Sequence, residues 1–272
     1  MANFNAISCE KLARLIGTPK APVIIDVRTT EDFAESPFLL PASLKRDHAD
    51  VAGWAAAFRG RWVVVLCQKG RKLSEGVAAY LRLAGAEAEI LEGGFEGWRD
   101  LGLPLLPVEK LPARNTDGAT LWVTRARPKI DRIACPWLIR RFVDPGAVFL
   151  FVAAPEVEAV AERFGATPFD IEGVFWSHRG ELCSFDVMVE EFALSLPALN
   201  KVARIVRGAD TDRLDLEPQA AGLLAISLGL SRMYASDLEQ LEQGMLIYDA
   251  LYRWARDATD EKHDWVARGG RA

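Results

Sequence analysis

The sequence predicts an α/β protein: a parallel sheet flanked by helices, followed by an α-rich α+β second domain. Three observations carry this prediction. VIIDV (Val23–Val27) and WVVVL (Trp62–Leu66) are short runs apolar enough to be buried on both faces, as strands of a parallel sheet are. Helical segments alternate with them across short connections, the pattern of a sheet covered on both sides. From Asp186 onward, by contrast, almost every stretch has helical spacing.

A chain of 272 residues has room for one large domain or two ordinary ones. Half of it is apolar and 26% charged, a globular composition, and a net charge of −5 gives no reason to expect a nucleic-acid partner. The four cysteines, Cys9, Cys67, Cys135 and Cys183, form no C-x-x-C pair, which suits reduced thiols in a cytoplasm better than a disulfide framework. MANFNAISCEKLARL lacks the apolar core of a signal peptide, and no run approaches the ~18 apolar residues needed to span a bilayer. The expectation is a soluble cytoplasmic protein with no membrane partner.

In chain order, Ser8 caps a helix over Cys9–Ile16 that stops at Gly17. The strand Val23–Val27 follows, then a helix beginning over Glu31–Ala34, the segment Leu39–Leu44 through Pro41, and a helical stretch Val51–Phe58. The strand Trp62–Leu66 ends at Cys67, a helix covers Ser74–Ala84, and Glu87–Leu91 is a third strand before GGFEGW (Gly93–Trp98). LPLLPVEKLPARNTDG carries three prolines and no periodicity, so it divides the chain into a first domain (1–106), a linker (107–118) and a second domain (119–272). In the second domain, strands at Leu121–Arg125 and Ala147–Val152 bracket a helix through Cys135–Phe142, and a helix over Glu156–Phe164 ends at Gly165. Phe169–Phe185 is irregular. Helices are then expected at Val187–Leu194, Leu199–Val206, Pro218–Leu228 and Asp237–Arg256, with a frayed tail at Arg268–Ala272.

The first chemistry lies at Cys67. A thiol at the end of a buried strand, under a loop that turns into a helix, is placed to become a thiolate: loop N–H groups and the helix dipole favour negative sulfur. Lys69, Arg71 and Lys72 add positive charge, Gly70 permits φ > 0, Gln68 completes the loop, and Ser74 can cap the helix. Asp26 and Arg28, at the end of the neighbouring strand, read as an ion pair steadying the loop. Against this stands the reading of Cys67 as buried filler, which needs neither the glycine loop nor the cations.

IIDVR (Ile24–Arg28), VVVLCQKGRKLS (Val63–Ser74) and LEGGFEGW (Leu91–Trp98), in this order, resemble the motifs of a single rhodanese-type sulfurtransferase domain. The resemblance implies a parallel sheet flanked by helices and a reaction in which Cys67 takes sulfur from thiosulfate or a similar sulfane donor as a persulfide. Cyanide or a thiol then accepts it, and no cofactor is required. Lys72 and Leu73 stand where many members carry arginine and serine, with Ser74 one position later, and LLPASL lacks the usual glycine.

The second domain holds Asp131, Arg132, Cys135, Asp170, His178, Arg179, Glu181, Cys183, Asp210, Asp212 and Glu217. His178, Glu181 and Cys183 fall within six residues and together suit a divalent transition metal. The competing reading is a buried histidine beside a core cysteine. Arg132, Arg140, Arg141 and Arg179 offer a different use, the binding of an oxyanion. Trp122, Trp137 and Trp176 read as core. Arg127–Val152, Phe164–Asp186 and IVRGADTD (Ile205–Asp212) resemble the C-terminal domain of ChrB-type chromate-resistance proteins. That resemblance implies a link to chromate detoxification and, through it, chromate as a candidate ligand.

Two readings of the whole chain remain open. One is a sulfurtransferase tied to chromate resistance, in which a Cys67 persulfide could also feed Cys183. The other is a chromate- or metal-responsive regulator that uses the first domain as a scaffold.

Overall fold

The computed structural model describes residues 5–116 and 118–262. The tail Arg268–Ala272 lies outside the described residues. The first half contains the strands β1 (Ala6–Ile7), β2 (Val23–Asp26), β3 (Phe38–Leu39), β4 (Ser43–Lys45), β5 (Trp62–Leu66), β6 (Glu87–Leu91) and β7 (Leu106–Pro107). Its helices are α1 (Cys9–Leu15), α2 (Thr30–Glu35), α3 (Val51–Trp54), α4 (Lys72–Leu83) and α5 (Gly94–Asp100). Five strands make a parallel sheet in the order β1-β6-β5-β2-β4.

Strand β5 shows why this sheet must be covered on both sides. Val63 and Val65 face a core with Phe58, Ala78 and Leu81, whereas Val64 and Leu66 face the opposite one with Leu12, Phe95 and Trp98. The period of two therefore puts apolar side chains on both faces. The helix α1 begins at Ser8, whose hydroxyl accepts the Lys11 N–H.

The second half contains β8 (Leu121–Arg125), α6 (Asp131–Leu138), β9 (Val148–Val152), α7 (Val157–Phe164), β10 (Thr167–Pro168), α8 (Ser184–Glu191), α9 (Pro197–Asp210), α10 (Ala220–Met233) and α11 (Asp237–Asp257). Its three strands form a small parallel sheet, β10-β8-β9, and helices make up the rest, as expected of an α-rich domain. The helix expected through Cys135–Phe142 starts earlier, at Asp131, and runs on as a wide π-turn over Ile139–Val143. Trp122, Trp137 and Trp176 are core residues.

The segment expected as a linker is tied to both halves. Leu106–Pro107 pairs antiparallel with Phe38–Leu39, Lys110 Nζ meets Glu191 at 2.6 Å, and Arg114 meets Asp144 at 2.9 Å. The core on the α1 and α5 face of the first sheet continues without a break into the second half, through Trp137, Phe142 and Tyr252. Phe142 also accepts the Ala42 N–H at 2.6 Å through its carbonyl. Among the described residues no helix is long and apolar enough to cross a membrane.

Candidate active site and a second acidic cluster

Cys67 follows directly on β5, in the centre of the first sheet, where strand C-termini meet helix N-termini. The residue is only 5% exposed, yet polar groups surround its sulfur. The Arg71 N–H donates to Sγ at 3.4 Å, and the Ser74 Oγ lies 3.4 Å from Sγ and 2.9 Å from the Arg71 carbonyl oxygen, so its one proton can turn to a thiolate or to the carbonyl. Burial by itself raises the thiol. Hydrogen bonds from the Ser74 hydroxyl and from the N–H groups of Arg71, Ser74 and Lys69 outweigh it and hold Cys67 below the ordinary cysteine value.

Ser74 is not the helix cap the sequence suggests. The helix starts two residues earlier, at Lys72, so Ser74 sits in its first turn with its hydroxyl turned to the sulfur. Lys69, Arg71 and Lys72 are exposed, and among the described residues none of the three is in an ion pair. Their charge is free to attract an anionic donor, while the amides and the hydroxyl serve the sulfur itself.

The loop is held from behind by Gly93–Gly97. The Cys67 and Gln68 carbonyls accept the Phe95 and Glu96 N–H groups, each at 3.0 Å, and Gln68 Nε2 donates to Glu96 at 3.2 Å. Gly70 (φ +62°) and Gly94 (φ +60°) touch back to back: a Cβ on Gly94 would lie 2.2 Å from the Cys67 carbonyl oxygen and 2.3 Å from the Gly70 nitrogen. Asp26 and Arg28 form a fully buried bidentate pair, with Nη2 at 2.7 Å and Nε at 2.9 Å from Oδ2. Arg28 also donates to the Ser36 and Phe38 carbonyls and stacks 3.7 Å from the centre of the Phe95 ring. The pair thus braces the helix α5 that clamps the loop.

In the second half, His178, Glu181 and Cys183 do not come together. Glu181 is exposed on the turn between Arg179 and Leu182. Cys183 is fully buried at the start of α8, where its N–H donates to Asp186 at 3.0 Å. Burial, with Asp131 and Asp186 nearby, pushes its thiol well up, so Cys183 is neither an available ligand nor a reachable sulfur acceptor. Cys135 is buried and pushed up likewise, and burial raises Cys9 to about 11. The three fall within six residues of the chain, but the segment is a turn rather than a helix, so they share no face: Glu181 is exposed while Cys183 is buried.

His178 instead meets carboxylates from distant elements. Its Nε2 lies 3.2 Å from Asp210 Oδ2, 3.5 Å from Asp170 Oδ1 and 3.6 Å from Asp131 Oδ2. Asp131 opens α6, and its Oδ2 accepts the Ser184 N–H at 2.6 Å, joining the starts of α6 and α8. Asp170 follows β10 and accepts the Ser184 hydroxyl at 2.8 Å. Burial, then the charges of Asp210 and Asp170, push Asp131 well up. Burial raises Asp170 too, but His178, Ser184, Arg132 and Arg125 outweigh it and hold Asp170 low. Bonds to Asp170 and Asp210 drive His178 to about 10.

The four arginines do not gather round an oxyanion. Arg132 Nε sits 3.3 Å from Asp170 Oδ2 without the alignment of a hydrogen bond, and its Nη1 donates to the Ala126 carbonyl. Arg140 pairs with Glu242, Arg141 is bidentate on Asp249, and Arg179 pairs with Glu191. Asp210 and Arg125 complete the cluster. Asp210 is among the candidates the sequence offers, but nothing local ties it to His178, and nothing local marks Arg125.

Residues 8–101 match the Rhodanese-like domain family and residues 122–255 the ChrB C-terminal domain family. The chain carries a rhodanese-like domain followed by a ChrB C-terminal domain. Protein ChrB of Cupriavidus metallidurans is 31% identical over 132 residues, 48% of this chain and 39% of that protein. The chain thus spans about two fifths of the length of the curated relative it matches.

Among solved structures, a rhodanese-related protein from Thermoplasma volcanium is 21% identical, covering 38% of this chain and 98% of that one, with a TM-score of 0.33. A rhodanese homolog from Thermus thermophilus is 28% identical, covering 34% and 98%, with a TM-score of 0.28. Within the rhodanese-like domain the loop can hold an anionic sulfur. Within the ChrB C-terminal domain Asp170 and His178 of the cluster line an open cleft with Arg125 and Glu172.

Proposed function

We propose that this protein is a sulfurtransferase that forms a persulfide on Cys67 from thiosulfate or a similar sulfane donor, and that its ChrB C-terminal domain links this activity to chromate resistance. The observation that supports it is the sulfur of Cys67, ringed by the Arg71, Lys69 and Ser74 amides and the Ser74 hydroxyl and held below the ordinary thiol value.

The thiolate attacks the outer sulfur of thiosulfate. A Cys67 S–S bond forms, the sulfur–sulfur bond of the donor breaks, and sulfite leaves with the electron pair. The persulfide keeps its negative charge, which the same donors hold. Cyanide or a thiol then attacks the outer sulfur and takes it away, and the bonding pair returns to Cys67 as thiolate. Lys69, Arg71 and Lys72 concentrate the dianionic donor at the mouth of the loop. These steps need only the loop's own groups. Chromate, as an anion, fits poorly against Asp131, Asp170 and Asp210, because Arg125 and Arg132 are already engaged by Asp170.

The test is transfer from thiosulfate to cyanide, with intact-protein mass spectrometry after thiosulfate alone. The wild type should gain one sulfur atom on Cys67 and turn over, and Cys67→Ala should do neither. Equal rates in both proteins, or no adduct on the wild type, would leave the rhodanese-like domain as a scaffold for a regulator.

A further inference from the structure

We propose that Asp131, Asp170 and His178 hold a divalent first-row transition cation of the Mn2+ and Fe2+ class at the C-terminal edge of the second sheet. The proposal does not rest on sulfur transfer at Cys67.

Among the described residues these three are the His, Cys, Asp or Glu side chains whose ligand atoms all lie within 4.8 Å of one another. They come from three separate elements, the first residue of α6, the residue after the β10 strand region, and the turn before α8. An ion-pair network accounts for the cluster poorly. Nε2 carries one proton at most, yet it faces three carboxylates at 3.2–3.6 Å.

Asp131 supplies the second, independent observation. Its side chain is fully buried, its Oδ2 takes the Ser184 N–H, and its Oδ1 has no hydrogen-bond partner. A buried carboxylate oxygen left bare is costly, and a cation is one of the few groups that compensates it. The carboxylate faces the cluster through Oδ2, which lies 3.6 Å from Nε2 and also accepts the Ser184 N–H.

The spacing also fits coordination. Oxygen and nitrogen ligands held about 2.0–2.2 Å from one ion, at right to tetrahedral angles, lie about 2.8–3.6 Å apart. His178 Nε2 lies 3.5 and 3.6 Å from the two carboxylates. Asp210, 3.2 Å from Nε2, is a fourth acidic group, with a side chain one-fifth exposed.

The donor set chooses the class of metal. Two carboxylates and one imidazole, with no thiolate, favour Mn2+, Fe2+ or Zn2+ over soft ions, and Arg125 and Arg132 on Asp170 supply the outer contacts such sites use. Entry is open, because His178 is 41% exposed and shares a cleft with Arg125, Asp170, Glu172 and Ser177.

The test uses the full chain, stripped with chelator and titrated with MnCl2. Metal analysis should find one Mn2+ per chain, and the electron-spin signal of that ion should show coupling to an imidazole nitrogen. His178→Gln should remove the nitrogen coupling and weaken binding at least about tenfold. Asp131→Asn should weaken it similarly. Should Asp131→Asn fail to fold, as judged by circular dichroism, the exposed His178→Gln variant decides alone. Glu181→Gln should bind as the wild type does. Retention of no Mn2+, Fe2+ or Zn2+ by the wild type, undiminished binding in His178→Gln, or loss of binding in Glu181→Gln would each overturn the assignment.

Discussion

Cys67 and Cys183 carry the same thiol into opposite settings, and their partners decide what each can do. Around Cys67, burial is outweighed by the Ser74 hydroxyl and three loop amides, so the thiolate is favoured. Around Cys183, burial and the charges of Asp131 and Asp186 act in the same direction, and the proton stays on. Because iodoacetamide reacts with the thiolate alone, alkylation of Cys67 should reach half its limiting rate at a lower pH than a model thiol does. Ser74→Ala should move that midpoint upward, because the hydroxyl that most favours the thiolate is lost. An unchanged midpoint would mean the hydroxyl contributes nothing. Cys183 should stay unmodified in the folded protein.

Asp26 and Arg28 make a second residue-scale case. Both are fully buried, and Asp26→Asn would remove the negative charge facing the guanidinium and leave it neutral partners alone, the Asn oxygen, the Ser36 and Phe38 carbonyls and the Phe95 ring. Breaking a buried pair from one side costs about 3–5 kcal/mol. Urea unfolding of Asp26→Asn should show a loss of this size.

At the scale of elements, the cysteine loop and the start of α5 form one unit. The Cys67 and Gln68 carbonyls are bonded to Phe95 and Glu96, and Gly70 and Gly94 allow the two backbones to touch. Any side chain at 94 must push the loop away, and φ near +60° penalises it further. Gly94→Ala should therefore lower sulfur transfer by about a hundredfold, the scale of a 1 Å displacement, while the secondary structure survives. Far-UV circular dichroism beside the thiosulfate assay checks both parts. On the other side of the molecule, α6 and α8 begin at a shared carboxylate: Asp131 opens one and accepts from Ser184 at the other.

At the scale of the whole molecule, the two halves share a core. Phe142 and Tyr252 pack against Gly17, where an added Cβ would fall 2.3 Å from the Phe142 ring. Arg256 donates to the Arg14 carbonyl at 2.9 Å, and Lys110 bridges to Glu191. Truncating a buried aromatic that serves both halves should destabilise both. Phe142→Ala should cost about 3–5 kcal/mol, and circular dichroism and Cys67 accessibility should report the same shifted midpoint in urea. Separate midpoints would show that the halves unfold independently.

Features that depend on near neighbours in the chain can be read from the residues alone. Strands β5 and β8 fall on the residues their apolar runs mark, because burial of both faces leaves its signature within five residues, and β6, with Glu87 and Glu89 alternating with buried Ala88 and Ile90, falls where its alternation marks it. The Cys67 loop is legible for the same reason: strand, thiol, glycine and helix follow one another within Trp62–Leu83. Features that depend on distant elements follow from packing. Ser74 reads as a cap in the sequence, yet its hydroxyl meets Sγ at 3.4 Å because α4 starts two residues earlier. His178 has Glu181 and Cys183 beside it in the chain, yet it faces Asp131, Asp170 and Asp210, brought from three other segments. A turn fixes no common direction for its side chains, so proximity in sequence there carries no information about proximity in space. Only the packing of α6, α8, α9 and the second sheet could assemble that group.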